Sequence, residues 1–189
     1  MADTLNVVSL YGSLRKGSFN AALARTLPKL APPGMTIGPA PPWDTIPIYN
    51  ADNQAASGFL VPVQSLADAI CKADGVIIVS PEYNYGLPGG LKNAIDWLSR
   101  LENQPFKDKP IAIQSATGGP LGGSRVQYQW RQLFVFLDAH VMTRPEVFVG
   151  LAQNKFDDKL EPKDQSTIDF IKMQLAPFEK YIRKFSGKN

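Results

Sequence analysis

The chain of 189 residues is 44% hydrophobic, 20% charged and 10% aromatic, the balance of a globular domain and not of a disordered or fibrous chain. Its formal charge of +3 is too small to mark a nucleic-acid stripe. One cysteine, Cys71, and one histidine, His140, exclude an intramolecular disulfide and a Cys/His zinc site. The start lacks a basic segment and the longest apolar runs are strand-length, so a cytoplasmic protein without secretory leader, membrane span or metal is expected. A chain of this size is expected to form one domain, residues 1–189.

Residues 5–11, LNVVSLY, form a β-branched apolar run ending at Gly12, the pattern of a buried parallel strand feeding a turn. Phe19, Ala22, Leu23, Leu27 and Leu30 share one face of a 3.6-residue period, so a helix follows, closed by Pro32 and Pro33. Residues 32–58 carry six prolines and only a weak strand near 35–37, a stiff surface excursion of the kind that often carries function. Val63, Leu66, Ala67 and Ile70 mark a second helix, and residues 75–80, GVIIVS, the clearest buried strand. Pro81 ends that strand, and Pro88 takes the first-turn position of a helix bearing Leu91, Ala94, Ile95, Leu98 and Leu101. Residues 109–117 repeat the strand pattern, and glycines 118, 119, 122 and 123 open a loop before a helix carrying Val126, Trp130, Leu133, Phe134 and Leu137. Residues 140–149 read as a last strand. Residues 164–185 read as a closing amphipathic helix that Pro177 should kink or divide.

Strand and helix alternate about five times, which predicts an α/β fold: a three-layer, doubly wound, five-stranded parallel sheet in the flavodoxin-like order 2-1-3-4-5. Ligands of such sheets bind beyond the carboxyl ends of the strands. That rule selects three loops, residues 12–20, 81–88 and 115–123.

The first loop reads GSLRKGSFN. The hydroxyls of Ser13 and Ser18, the Arg15 guanidinium, the Asn20 amide and the N–H groups of a helix start are donors suited to a phosphate monoester. A capped helix start would use the same residues. The G-x-x-x-x-G spacing imitates a triphosphate loop, but Ser18 stands where the lysine belongs and Phe19 where the magnesium-binding hydroxyl belongs. ATP phosphotransfer is therefore excluded. Leu14 at the second glycine position breaks the dinucleotide pattern in the same way.

Residues 80–97, SPEYNYGLPGGLKNAIDW, closely resemble the P-E-Y-N-x-x-x-P-x-x-L-K-N-A-x-D-W signature of the NADPH-dependent FMN reductase family, in its branch of quinone, azo-dye and chromate reductases. The first loop resembles that family's phosphate loop, G-S-x-R-x-x-S-x-N. The resemblance implies that Ser13, Arg15, Ser18, Phe19 and Asn20 hold the phosphate of FMN. It places Pro81, Glu82, Tyr83, Asn84, Tyr85 and Gly86 along the isoalloxazine ring, and Ser115, Gly118 and Gly119 on the ring's other side. Tyr85 equally suits a subunit contact with Arg125, Tyr128 and Glu146 in a homodimer or homotetramer. Lys92, Asn93, Asp96 and Trp97 read as scaffold, His140 as structural and Cys71 as a small buried side chain.

The implied function is an oxidoreductase that passes hydride from NADPH or NADH through noncovalently bound FMN to quinones, azo compounds or chromate-like acceptors, with no catalytic side chain. An electron carrier of flavodoxin type, or a flavin-binding regulatory module, is the alternative. The slightly basic charge favours the enzyme, because a docking carrier ordinarily relies on an acidic face for steering.

Overall fold

The computed structural model describes residues 3–187. In chain order its elements are β1 (Leu5–Tyr11), α1 (Phe19–Leu30), β2 (Met35–Pro39), α2 (Ala51–Ser57), α3 (Val61–Lys72), β3 (Gly75–Val79), α4 (Gly89–Leu98), β4 (Pro110–Ala116), α5 (Ser124–Phe136), β5 (His140–Val141), β6 (Val147–Val149) and α6 (Gln165–Ser186). All strand pairs are parallel, in the order β2-β1-β3-β4-β5, with β6 also on β4. This is the doubly wound, flavodoxin-like order expected from the pattern. Period-two alternation divides each inner strand between two cores. Val8, Leu10, Val76 and Ile78 pack with α3, α4 and α5, while Leu5, Val7, Ile77 and Val79 pack with α1 and α6.

Three expectations need correction. The single strand expected over residues 140–149 is two short ones, because Pro145 has no N–H for the ladder. Side chains fill the gap: Gln174 of α6 donates to the carbonyls of Ile113 (3.2 Å) and Pro145 (2.7 Å), and Arg131 of α5 donates to those of Met142 (2.9 Å) and Thr143 (3.3 Å). Of the kink or division expected at Pro177, division does not occur, because α6 runs unbroken for 22 residues. Both Pro177 and Met173, whose carbonyl loses its intrahelical partner, are exposed. Cys71 is exposed, not buried.

Caps fix the helix ends. The Asp164 carboxylate accepts from the Thr167 N–H at the start of α6 (2.9 Å), and hydrogen bonds from Ser166, Thr167 and Lys155 hold its pKa well below the usual carboxylate range. At the opposite end of the sheet the Lys109 ammonium donates to the Ala73 (2.6 Å) and Cys71 (3.3 Å) carbonyls that end α3, and burial lowers its pKa. His140 opens β5 there, its ring 4.0 Å from that of Phe185.

The proline-rich excursion is pinned, not loose. The Trp43 indole N–H donates to the Tyr11 carbonyl (3.0 Å), and Asn93 and Trp97 of α4 donate to the Pro47 carbonyl (2.8 and 2.9 Å). Asn93 also accepts from the Tyr49 N–H (2.8 Å), so the scaffold role read for Asn93 and Trp97 has a concrete form. Among the described residues no helix is long and apolar enough to cross a membrane.

Candidate functional site

The loops following β1, β3 and β4 converge at the carboxyl ends of those strands. Gly12 makes the first crossing possible: a Cβ there would lie 2.8 Å from Pro88 Cγ and 3.0 Å from Pro81 Cδ, closer than side chains approach. Its N–H bonds the Val79 carbonyl (3.0 Å), which docks the first loop on β3.

Ser18 is the N-cap of α1, its hydroxyl accepting from the Ala21 N–H (3.2 Å). The first turn of α1 contains no acidic residue, so its positive dipole end and early N–H groups remain available to an external anion. Arg15 is exposed, with its guanidinium carbon 5.9 Å from the Phe19 ring centre. Ser13 is buried to 6% exposure and its hydroxyl accepts from the Tyr83 hydroxyl (3.4 Å). The Asn20 amide does not face this anion site. It donates to the Ala116 carbonyl (2.8 Å) and accepts from the Ala116 N–H (2.9 Å), tying the first loop to the end of β4.

The second loop is a miniature hairpin. Tyr83 and Gly86 exchange both backbone hydrogen bonds (3.1 and 2.8 Å), with Asn84 (φ 51°) and Tyr85 (φ 64°) between them in the left-handed region. Two positive φ values at the centre define the tight primed turn that hairpins favour. Asparagine tolerates that region; tyrosine there is strained and needs support. The support comes from α5: Gln129 donates to the Tyr85 carbonyl, and the Arg125 guanidinium sits 4.1 Å from the Tyr85 ring centre. Glu82 faces the same helix, accepting from the Val126 N–H (3.0 Å) and pairing with Arg125 at 3.7 Å. The N-cap of α5 is Gly123, which has no side chain, so Glu82 caps that helix from the neighbouring loop. Tyr83 and Tyr85 remain 49% and 65% exposed, leaving flat surface for a ligand or a partner.

In the third loop, Ser115 is fully buried; its hydroxyl donates to the Gly122 carbonyl (2.6 Å) and accepts from Gln127 (2.8 Å). It therefore shapes the loop from beneath. The glycines required by the backbone are Gly122 and Gly123, at φ 60° and 81°, where a Cβ would strike Phe148 and Ser115. A Cβ at Gly119 would meet no protein atom within 4 Å, and one at Gly118 only Gln153 at 3.5 Å, so open space lies in front of both. Room also exists at Gly86, whose Cβ would come no nearer than 3.4 Å to the Tyr83 carbonyl.

The sequence therefore located the loops, while the structure divides their residues by task. Ser13, Arg15, Ser18 and the backbone N–H groups of Phe19 and Asn20 lie together at the start of α1. Tyr83, Tyr85, Gly86, Gly118 and Gly119 leave surface and space. Asn20, Glu82 and Ser115 use their side chains to hold loops together, as do Gln127 and Gln129, which the sequence reading missed. Of the interface candidates, Tyr128 is 59% exposed, while Glu146 pairs with Arg131 at 3.5 Å and Arg125 covers Tyr85. A groove of about 490 Å³ between α4 and α5, bordered by Leu87, Gln129 and Phe136, lies on the same side of the molecule. Among the described residues no cluster of three His, Cys, Asp or Glu side chains could hold a metal ion.

The chain is similar to known proteins. Residues 5–154 match the family described as NADPH-dependent FMN reductase. A quinone reductase of Escherichia coli (strain K12) is 53% identical over 185 residues, covering 97% of this chain and 98% of that protein. An NAD(P)H-dependent FMN reductase of Pseudomonas aeruginosa is 42% identical over 187 residues, covering 99% of this chain and 100% of that protein. Among solved structures, the flavoenzyme NAD(P)H:(acceptor) oxidoreductase FerB from Paracoccus denitrificans superposes with a TM-score of 0.86 at 30% identity, over 96% of this chain and 99% of that one.

Proposed function

This chain belongs to the NADPH-dependent FMN reductase family, and on that premise we propose that it is an FMN-dependent NAD(P)H:quinone oxidoreductase. The observation that carries the reading is the set of ties joining three ligand-side loops: Asn20 to Ala116, Tyr83 to Ser13, and Glu82 to Val126. They hold an anion-binding helix start, a strained hairpin and an open glycine pair on one rim, a rigid frame for a flat ring bearing one phosphate.

The residues present fit FMN. Ser13, Arg15 and Ser18, with the first-turn amides of Phe19 and Asn20, would hold the phosphate, where no carboxylate of the helix start competes. The backbone of Pro81 through Gly86 would flank the ring, with Tyr83 and Tyr85 adding aromatic surface, and the space before Gly118 and Gly119 would receive its other side. When bound, FMN supplies the hydride-accepting ring that the side chains lack, taking reducing equivalents from NAD(P)H and delivering them to the acceptor. The protein's own part is to bind, orient and hold a flat surface open to donor and acceptor in turn. Azo compounds and chromate-like oxyanions are further acceptors for so open a site. The reading extends to a cytoplasmic location and to a homodimer or homotetramer whose contact includes Tyr85, Arg125, Tyr128 and Glu146.

The test is the visible spectrum of protein incubated with FMN and freed of excess, followed anaerobically by NADPH and then a quinone. Bound-flavin absorbance should vanish promptly with NADPH and return with the quinone. Bound flavin that NADPH leaves unbleached would point instead to an electron carrier, and absence of bound flavin would remove the three-loop site.

A further inference from the structure

A cavity of about 340 Å³ lies on the β2 side of the first loop, between residues 13–16, the outer face of α1 and residues 40–44 of the proline-rich excursion. Ser13 and Arg15 of the flavin-phosphate set stand on its wall while Ser18, Phe19 and Asn20 do not, so it adjoins the helix start and extends away from it toward Lys16, Arg25 and Asp44. Its charged groups are Arg15, Lys16, Arg25 and Asp44. Among the described residues none of these three cations forms an ion pair with a carboxylate. Two cations of its own, Lys16 and Arg25, with Arg15 shared with the flavin-phosphate set, stand against one carboxylate in a concave wall and favour an anion of more than one charge.

A second cavity of about 180 Å³ continues from the first, sharing Ser9, Tyr11 and Arg25 with it. Its other walls are Ala24, Pro28 and Pro39. It is thus a small, mainly apolar cavity that shares Arg25 with the basic hollow. The walls are stiff: Trp43 is hydrogen-bonded to the Tyr11 carbonyl at 3.0 Å, and Pro39, Pro41 and Pro42 have fixed φ. A slot for a flat heterocycle joined to a site for a doubly charged group matches a purine nucleoside phosphorylated on its ribose. FMN contains no such group. NADPH does, and the 2′-phosphate is its sole difference from NADH.

We propose that the paired cavities bind the 2′-phosphoadenosine end of the electron donor, with Lys16 and Arg25 on the 2′-phosphate, so that this site sets preference for NADPH over NADH. The proposal rests on the function given above. Arg15 stands on the wall between this site and the flavin phosphate, which separates the two anions by a cation they share. Asp44 provides an acceptor for a ribose hydroxyl.

The test is calorimetric titration of FMN-loaded protein with adenosine 2′,5′-bisphosphate, its 3′,5′ isomer and 5′-AMP. The 2′,5′ compound should bind about tenfold or more tightly than 5′-AMP, and Arg25→Ala and Lys16→Ala should each remove most of that advantage while FMN affinity is unchanged. Arg25→Lys should keep part of it. Steady-state KM for NADPH should rise about tenfold in Arg25→Ala, with KM for NADH unmoved. Equal binding of the three nucleotides, or preference for the 3′,5′ isomer, overturns the assignment, as does loss of FMN affinity in place of nucleotide affinity. Failure of NADPH to reduce the flavin would break the oxidoreductase reading instead, and the nucleotide titration reads the cavity independently of that result.

Discussion

Among the described residues the charged side chains of the 12–18 loop form no ion pair, whereas in the 81–86 loop side chains and carbonyls are already engaged by α5 or by the first loop. Both loops carry dense motifs, and they use them in opposite ways. The first is a set of donors awaiting an anion, so its letters encode chemistry. The second is a ledge whose letters encode shape: Asn84 and Tyr85 accept left-handed backbone, while Glu82 anchors the turn to a helix with no cap of its own. A motif shared by a family thus mixes groups that touch a ligand with groups that position the backbone that does.

Substitutions can break this contrast, beginning with the largest effect. Asn20→Ala would orphan the buried N–H and carbonyl of Ala116 and should lower unfolding stability by about 2–6 kcal/mol, from ~1–3 kcal/mol for each of the two abandoned groups. A urea midpoint equal to that of the parent would show that the tie is not structural. Arg15→Ala should do the reverse, weakening FMN about ten- to a hundredfold while the flavin-free protein keeps its stability within about 0.5 kcal/mol. Equilibrium flavin titration paired with urea denaturation reads both quantities, and unchanged flavin affinity removes Arg15 from the site. Glu82→Ala should cost about 1 kcal/mol as a lost helix cap, and Glu82→Gln, which keeps an acceptor for the Val126 N–H, should recover most of it. Equal losses in the two variants would place the effect in the Arg125 pair instead. The smallest effect on folding is expected for Gly86→Ala, within about 0.5 kcal/mol, because the protein leaves room for that Cβ. Weaker flavin binding in this otherwise stable variant would sharpen the contrast, since only a ligand could feel the added methyl.

The strands were legible because β-branched runs at 5–11, 75–79 and 110–116 have no helical period, and the fold rule then named the loops. Helix α2 was not, since none of its residues is buried and it therefore shows no apolar face; its signals are Asn50 at the N-cap and Gly58 beyond the end. The division of the last strand at Pro145 was present in the sequence and passed over, because the flanking apolar residues preserved the alternation. Within the site, the side-chain ties made by Asn20, Glu82 and Ser115 were not legible, for a common reason. Their partners lie 96, 44 and up to 12 residues away, and a spacing motif contains no information about which neighbour a polar side chain meets after folding.

The broken last strand also governs how copies of this protein can meet. A long uninterrupted outer strand would present a row of backbone groups on which another chain could template itself. Here that margin of the sheet is two segments of two and three residues, and Gln174 and Arg131 occupy the carbonyls exposed between them. The opposite margin, β2, is five residues long and ends in Pro39. Neither margin of the sheet therefore offers a long run of open backbone groups to a second strand.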